Sequence, residues 1–314
     1  MRRAFSETLI RLGHDDPKVI FLTGDLGYQV FDGFREAFPN RYLNVGVAEA
    51  QLVNCAAGLA LEGWRPLIYS IASFLTGRAF EQIRLALGYH RLPVVVVGAG
   101  GGYSYAQSGV THHAQEDLAL MGLIPGLTVT CPGGPDEISA LLPQLTRLDG
   151  PSYLRVGRFG EPAVPGSAPI LVGQGRLVCP GDRVAFLTTG AAVIPATQAA
   201  ERLAADGRAT AVCHFHTLRP FDERLLAEVA GRADILIVAE DHGLRGGLRD
   251  VVSRWLVTAA HHAVRSRLRL IGVGPGETLI LGNPSLDEVM RRCGLTPEAL
   301  TETGREAWST LPNR

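Results

Sequence analysis

The stretch PVVVVGAGGGYSYAQSGVTHH, residues 93–113, decides the fold. Val94–Val97 is apolar on both faces, as a central strand of a parallel sheet must be. The run then gives way to glycines and polar residues, which is how a strand delivers a loop to the carboxyl edge of its sheet. Working outward, short β-branched runs at 19–24, 42–46, 66–71, 128–132 and 152–157 alternate with helical patterns at 48–63, 78–91, 116–122 and 136–148. In 48–63, Leu52, Val53, Ala56, Leu59 and Ala60 recur at helical spacing and Gly63 closes the element. That alternation specifies parallel sheets with crossover helices.

The segment 158–182 breaks the pattern with four prolines and five glycines, and a domain boundary is placed there. The expected division is 1–160, a linker at 161–182, and 183–314. The second part repeats the theme: strands at 184–190, 210–215, 235–241 and 268–274, with helices at 193–206, 222–231, 247–260, 285–293 and 297–308. Thr296 followed by Pro297 is a helix start. The fold class expected is α/β, two domains, each a mostly parallel sheet flanked by helices.

Composition narrows the function. The 314 residues carry 30 basic and 31 acidic side chains, a net charge of −1, which excludes binding of nucleic acid or acidic membrane through a bulk basic field. With 46% hydrophobic residues the chain fills a large core. No window of roughly 20 residues is predominantly apolar, as a membrane helix needs, since the uncharged run 92–115 is rich in glycine and polar residues, and MRRAFSETLIRLGHDD lacks a secretory apolar stretch, so a cytoplasmic protein is expected. The five cysteines, Cys55, Cys131, Cys179, Cys213 and Cys293, form no CxxC pair and read as reduced thiols; no metal site is expected within the chain.

Four segments follow strands where ligands of such sheets sit: GDLGY after Gly24, VGVAEAQ after 42–46, SIASF after 66–71, and GAGGGYSYAQSGVTHH. Gly98–Gly102 has neither GxGxxG nor GxxxxGK[ST] spacing, so close packing competes with a phosphate cradle. Glu49 falls in the first turn of a helix, where a carboxylate ordinarily complements the dipole. His112 and His113 sit on a loop, Phe74 follows a strand, and Arg155 and Arg158 flank Gly157. Singly, each has a plain structural explanation.

Together they carry more. NVGVAEAQ, SIASFLTGRAFEQIR, GVTHHAQEDLALM and PSYLRVGR, followed by VCHFHTLRPFDERLL and VAEDHGLRGGLRDVV, resemble transketolase and its relative deoxyxylulose phosphate synthase over nearly the whole chain. The resemblance implies a pyrimidine-binding domain followed by the family's C-terminal domain. The family's diphosphate-binding domain, with its GDG motif, has no counterpart here. The expectation is therefore the beta subunit of a split transketolase. It would need an alpha subunit carrying that domain, as an α2β2 heterotetramer, to hold thiamine diphosphate and Mg2+.

The resemblance also implies roles. Glu49 matches the glutamate that hydrogen-bonds the pyrimidine and sets the tautomer controlling loss of the C2 proton. Phe74 matches the aromatic that stacks on that ring, and Asp25 an acidic residue supporting the same end. His112 matches the histidine facing the reactive carbon, with His113 beside it; Arg155 matches a sugar-phosphate ligand, with Arg78 assisting. His90, His261 and His262 have no counterpart. Two departures stand out. SFLTGRAF is one residue longer than the family pattern, and Ser108 replaces the usual aspartate four residues before His112. The implied activity is two-carbon ketol transfer from a ketose donor to an aldehyde acceptor, a step in carbohydrate metabolism. The alternatives are the beta subunit of a 2-oxoacid dehydrogenase decarboxylase component and a non-catalytic assembly subunit.

Overall fold

A computed structural model describes residues 1–157, 160–243, 245–260, 264 and 266–312. In it, strands β1 (Val19–Thr23), β2 (Tyr42–Asn44), β3 (Arg65–Ile71), β4 (Val95–Ala99), β5 (Thr128–Thr130) and β6 (Ser152–Val156) pair in parallel. The later strands are β7 (Arg176–Cys179), β8 (Arg183–Thr188), β9 (Ala211–His214), β10 (Thr217–Arg219), β11 (Ala233–Ala239) and β12 (Arg269–Val273). The second sheet runs β12-β11-β8-β9-β7, with only β7 antiparallel. Beside β4 lie β3 and β6, so Val95, Val96 and Val97 are buried from both sides, as the opening run demands.

Helices α1 (Arg2–Asp15) and α7 (Pro135–Leu145) cover one face of the first sheet. The opposite face carries α3 (Glu49–Leu61), α4 (Ala72–Arg78), the short α5 (Phe80–Gln82) and α6 (Asp117–Gly122). In the second half, α8 (Val193–Ala205) packs against the last helix, Pro297–Ser309, while α9 (Glu223–Arg232) and α10 (Leu248–Thr258) lie on the other face. Thr296 caps that last helix by accepting from the Ala299 N–H at 3.2 Å, as its Thr-Pro start implies.

Three features depart from the pattern. β7 lies inside the segment 161–182 and forms an edge of the second sheet. β10 leaves its own half and pairs antiparallel with β5, giving the first sheet the order β10-β5-β6-β4-β3-β1-β2. The single helix expected over 78–91 breaks at Ala79 and continues as a π-helix over Ile83–Tyr89.

The halves share one apolar cluster. Ile68, Val96 and Met121 of the first are continuous with Leu187, Phe215 and Leu236 of the second. A buried polar knot crosses the same seam. Glu137 of α7, fully buried, accepts from Arg176 Nη1 at 2.7 Å and from the Gly133 N–H at 2.8 Å, and lies 3.0 Å from His214 Nε2. Burial pushes the Glu137 pKa up, but the charge and hydrogen bond of His214 outweigh it and hold the group at about 2. His216, also buried, has Nε2 without a partner among the described residues, and burial pushes its pKa down to about 4 against the opposing charge of Glu137.

Both shifts make the seam acid-labile. His216 folds neutral, so its contribution is complete above its ordinary value of 6.5 and is lost as pH falls toward 4. That of Glu137 is complete above 4.5 and is lost toward pH 2. Unfolding free energy measured from pH 7 to pH 4 is expected to fall, with His216 accounting for on the order of 3 kcal/mol. His216→Asn should flatten that slope; an unchanged slope contradicts the assignment.

Candidate functional site

The site lies at the carboxyl edge of the first sheet, where the ends of β1 to β4 converge. Asp25 follows β1 with φ +59°, exposed, and exchanges two hydrogen bonds with Asn44: its N–H donates to Oδ1 at 3.1 Å and its Oδ1 accepts from Nδ2 at 2.8 Å. Asn44 Oδ1 also accepts from the Gly46 N–H at 2.9 Å. The two side chains thus fix the turn that leads into α3, and Asp25 acts through backbone geometry.

Glu49 opens α3, but it is no solvent-facing dipole residue: it is 4% exposed. Ser70, at the end of β3, donates to Oε1 at 3.1 Å, and Arg78 at the end of α4 reaches Oε2 at 3.4 Å. Arg78 is itself half exposed, so the second contact is loose. Its guanidinium also covers the Phe74 ring, 4.1 Å from the centroid. Phe74 in turn meets the His112 ring edge-on at 5.0 Å. Glu49, Phe74, Arg78 and His112 therefore form one contiguous cluster drawn from three segments.

His112 rides on the loop after β4. Ser73 of α4 donates to the Thr111 carbonyl at 3.0 Å, and Thr111 Oγ1 lies 2.9 Å from His112 Nδ1. The pKa of His112 is lowered, first by burial, then by the charges of His113 and Arg78. Its imidazole is neutral at pH 7, suited to exchanging a hydrogen bond with a substrate oxygen. Ser108 stands exposed on the same loop, in a 3-10 turn over Ala106–Ser108.

Two expectations are corrected here. His113 does not face a ligand: it is buried, with Nε2 3.1 Å from the Ala106 carbonyl and its ring against Tyr103, so it pins the loop from within. Arg155 is not available to a sugar phosphate. It is 4% exposed and bonded to Asp117 Oδ2 at 2.9 Å, Asp241 Oδ1 at 2.7 Å and the Ala114 carbonyl at 3.2 Å. Burial alone lowers its pKa, but Asp117 and Asp241 raise it well above the usual guanidinium value. Arg158, the other arginine of that motif, and His261 and His262 lie outside the described residues.

Two glycines of the run, Gly101 and Gly102, serve this arginine. A Cβ on Gly101 would lie 2.1 Å from Arg155 Nε, and one on Gly102, at φ +59°, 2.3 Å from Asp241 Oδ2. Gly98–Gly102 is close packing, the simpler of its two explanations. Ser70, Ser73, Asp117 and Asp241 were missed in the sequence. The signal for the two aspartates lay in the motifs, in HAQED and VAED, but nothing local says that they share a partner.

Among the described residues no group of three His, Cys, Asp or Glu side chains converges to hold a metal. All five cysteines are free. No helix is long and apolar enough to cross a membrane, among those described.

Two domains of a transketolase-type fold, in the expected order, are what the comparisons find. Residues 1–159 match the model of the transketolase pyrimidine binding domain, and residues 173–281 that of the transketolase C-terminal domain. The chain belongs to the transketolase family. It is 33% identical over 260 residues to the 6-deoxy-6-sulfo-D-fructose transketolase subunit of Clostridium sp. (strain MSTE9), covering 82% of this chain and 80% of that one. It is 28% identical to an apulose-4-phosphate transketolase subunit of Phocaeicola vulgatus, over 97% and 96%. Against 1-deoxy-D-xylulose-5-phosphate synthase 1 of Geobacter sulfurreducens, 33% identity extends over 83% of this chain but 41% of the synthase. A split gene transketolase solved as an inactive beta4 tetramer superposes with TM-score 0.88, at 31% identity and 98% coverage of both chains. The expected family and α/β architecture therefore stand.

The state of His112 is directly measurable. By NMR its imidazole should titrate below 6.5, and Arg78→Gln, which removes one neighbouring charge, should move the midpoint upward. A wild-type midpoint at or above 6.5 would show that the ring is not held as described.

Proposed function

We propose that this chain is the pyrimidine-activating beta subunit of a split transketolase. Joined to an alpha subunit that carries the diphosphate-binding domain, it transfers a two-carbon ketol unit from a ketose or ketose phosphate to an aldehyde acceptor. The observation that carries this is Glu49: a buried carboxylate at the sheet edge, held by one hydroxyl and one loose arginine contact, within a cluster that ends in a neutral histidine. A carboxylate removed from water needs polar partners. The residues present fit an aminopyrimidine, whose ring nitrogen offers Oε2 a hydrogen bond better than the 3.4 Å contact to Arg78.

Thiamine diphosphate, once bound, supplies the carbon nucleophile and the electron sink. Glu49 holds and returns a proton at the pyrimidine nitrogen. Phe74 forms the aromatic wall, and Asp25 keeps the turn into α3 in register. His112 hydrogen-bonds the oxygen of the donor ketose. Arg78, half exposed beside them, offers its outer donors to an anionic substrate, while exposed Ser108 leaves hydroxyl recognition weaker than an aspartate would. The alpha subunit anchors the diphosphate and Mg2+, and two αβ pairs form α2β2 by symmetry. A cytoplasmic setting suits free thiols. The motif THHAQED and relatives named as transketolase subunits favour this over 2-oxoacid dehydrogenase chemistry.

The test is reconstitution. The chain, a diphosphate-binding partner subunit, thiamine diphosphate and Mg2+ should together release a two-carbon unit from ketose donors, and each protein alone should be inactive. Glu49→Gln should assemble normally and lose turnover by about 10²- to 10⁴-fold. Turnover by the chain alone, or a fully active Glu49→Gln pair, would overturn the proposal. Decarboxylation of a 2-oxoacid onto a lipoyl acceptor would replace it with the dehydrogenase reading.

A further inference from the structure

Three contacts hold the ring of His112. Phe74 meets it edge-on at 5.0 Å, Tyr105 edge-on at 6.0 Å, and Thr111 Oγ1 lies 2.9 Å from Nδ1. Two rings and a hydrogen bond restrict rotation of the imidazole, so Nδ1 stays with the threonine. Among the described residues Nε2 has no hydrogen-bond partner. The threonine is anchored in turn: Ser73 donates to its carbonyl at 3.0 Å, and the His112 N–H donates to the Gly109 carbonyl at 3.0 Å, closing the turn that carries the pair. Ser73 immediately precedes Phe74 on α4, so one stretch of helix places both the ring that packs on His112 and the residue bonded to it.

A neutral imidazole carries one proton, on Nδ1 or on Nε2, and the partner of one nitrogen decides which. With the proton on Nδ1, Thr111 would accept, and its hydroxyl hydrogen would have no acceptor among the described residues. With the proton on Nε2, the hydroxyl donates to Nδ1 and its hydrogen is placed. The lowered pKa of His112 keeps the ring neutral at pH 7, so only these two forms compete.

We propose that Thr111 is a positioning residue that holds His112 in the Nε2–H form, so that the nitrogen left free is a hydrogen-bond donor. A ketose carbonyl oxygen can only accept, and it takes up negative charge when its carbon is attacked, so a donor is what it requires. That consequence rests on the function proposed above; the tautomer does not.

15N NMR of the full chain reads the tautomer, with His112→Gln used only to assign the ring signals. In wild type Nε2 should be the protonated nitrogen and Nδ1 the bare one. Thr111 is exposed, so replacing it leaves the core untouched. Thr111→Val, which keeps the shape and removes the hydroxyl, should lower the ratio of Nε2–H to Nδ1–H about two- to tenfold, and Thr111→Ser should restore it. With the partner subunit, thiamine diphosphate and Mg2+, kcat/KM should fall by a similar factor in Thr111→Val, about two- to tenfold, and recover in Thr111→Ser. A wild-type ring protonated on Nδ1, a ratio that Thr111→Val leaves unchanged, or a shifted ratio with full activity overturns the proposal. Failure of the wild-type pair to transfer a two-carbon unit would instead overturn the function proposed for the site, and the NMR ratio alone would then decide the role of Thr111.

Discussion

A guanidinium withdrawn from water between two carboxylates is the constraint around which this molecule is arranged. Arg155 comes from β6, Asp117 from the start of α6, and Asp241 from the turn just after β11, so one side chain joins both sheets and the segment that follows the His112 loop. Its Nη2 donates to the Ala114 carbonyl, two residues beyond His112. Burying such a group costs several kcal/mol, and stranding its partners by removing one member of a buried pair typically costs about 3–5 kcal/mol. The arrangement persists only with every partner in place. That requirement explains Gly101 and Gly102, where a single Cβ would strike Arg155 or Asp241.

The loop inherits its shape from this bracket. Gly102 pairs with Ala114 across it, the Gly243 N–H of the second half donates to the Gln115 carbonyl at 2.7 Å, and Tyr103 donates to Gln115 Oε1 at 2.6 Å. Inside the loop His113 bonds the Ala106 carbonyl, which leaves His112 at the surface facing Phe74. The second half of the chain, far in sequence from Glu49, thereby sets where the histidine stands. The role proposed for His112 needs such support, because an error near 1 Å in position is costly in rate.

Much of this was legible in the sequence. The alternation of β-branched runs and helical spacing specified the parallel strands of both sheets, because the core demands it there, but not the antiparallel β7 and β10. The grouping of Glu49, Phe74, Arg78 and His112 followed from the resemblance of their motifs to the transketolase family. What escaped was non-local. β10 has three residues and its partner β5 lies far upstream, so no local pattern announces that it crosses sheets. The resemblance of YLRVGR to a family motif made Arg155 a sugar-phosphate ligand, and nothing local corrected it because its two aspartates are separated from it by 38 and 86 residues. His113 was expected beside His112 at the ligand; only the folded loop turns one inward and the other outward.

Hydrogen exchange of the loop amides in Asp241→Asn, against wild type, measures most directly whether the second half orders the site. With one carboxylate of the bracket neutralised, amides over 102–116 should exchange about tenfold faster or more, while those of β3 and α3 keep their protection. Unchanged exchange across 102–116 would show that the loop holds itself. A uniform loss of protection through both sheets would show that Asp241 serves only general stability.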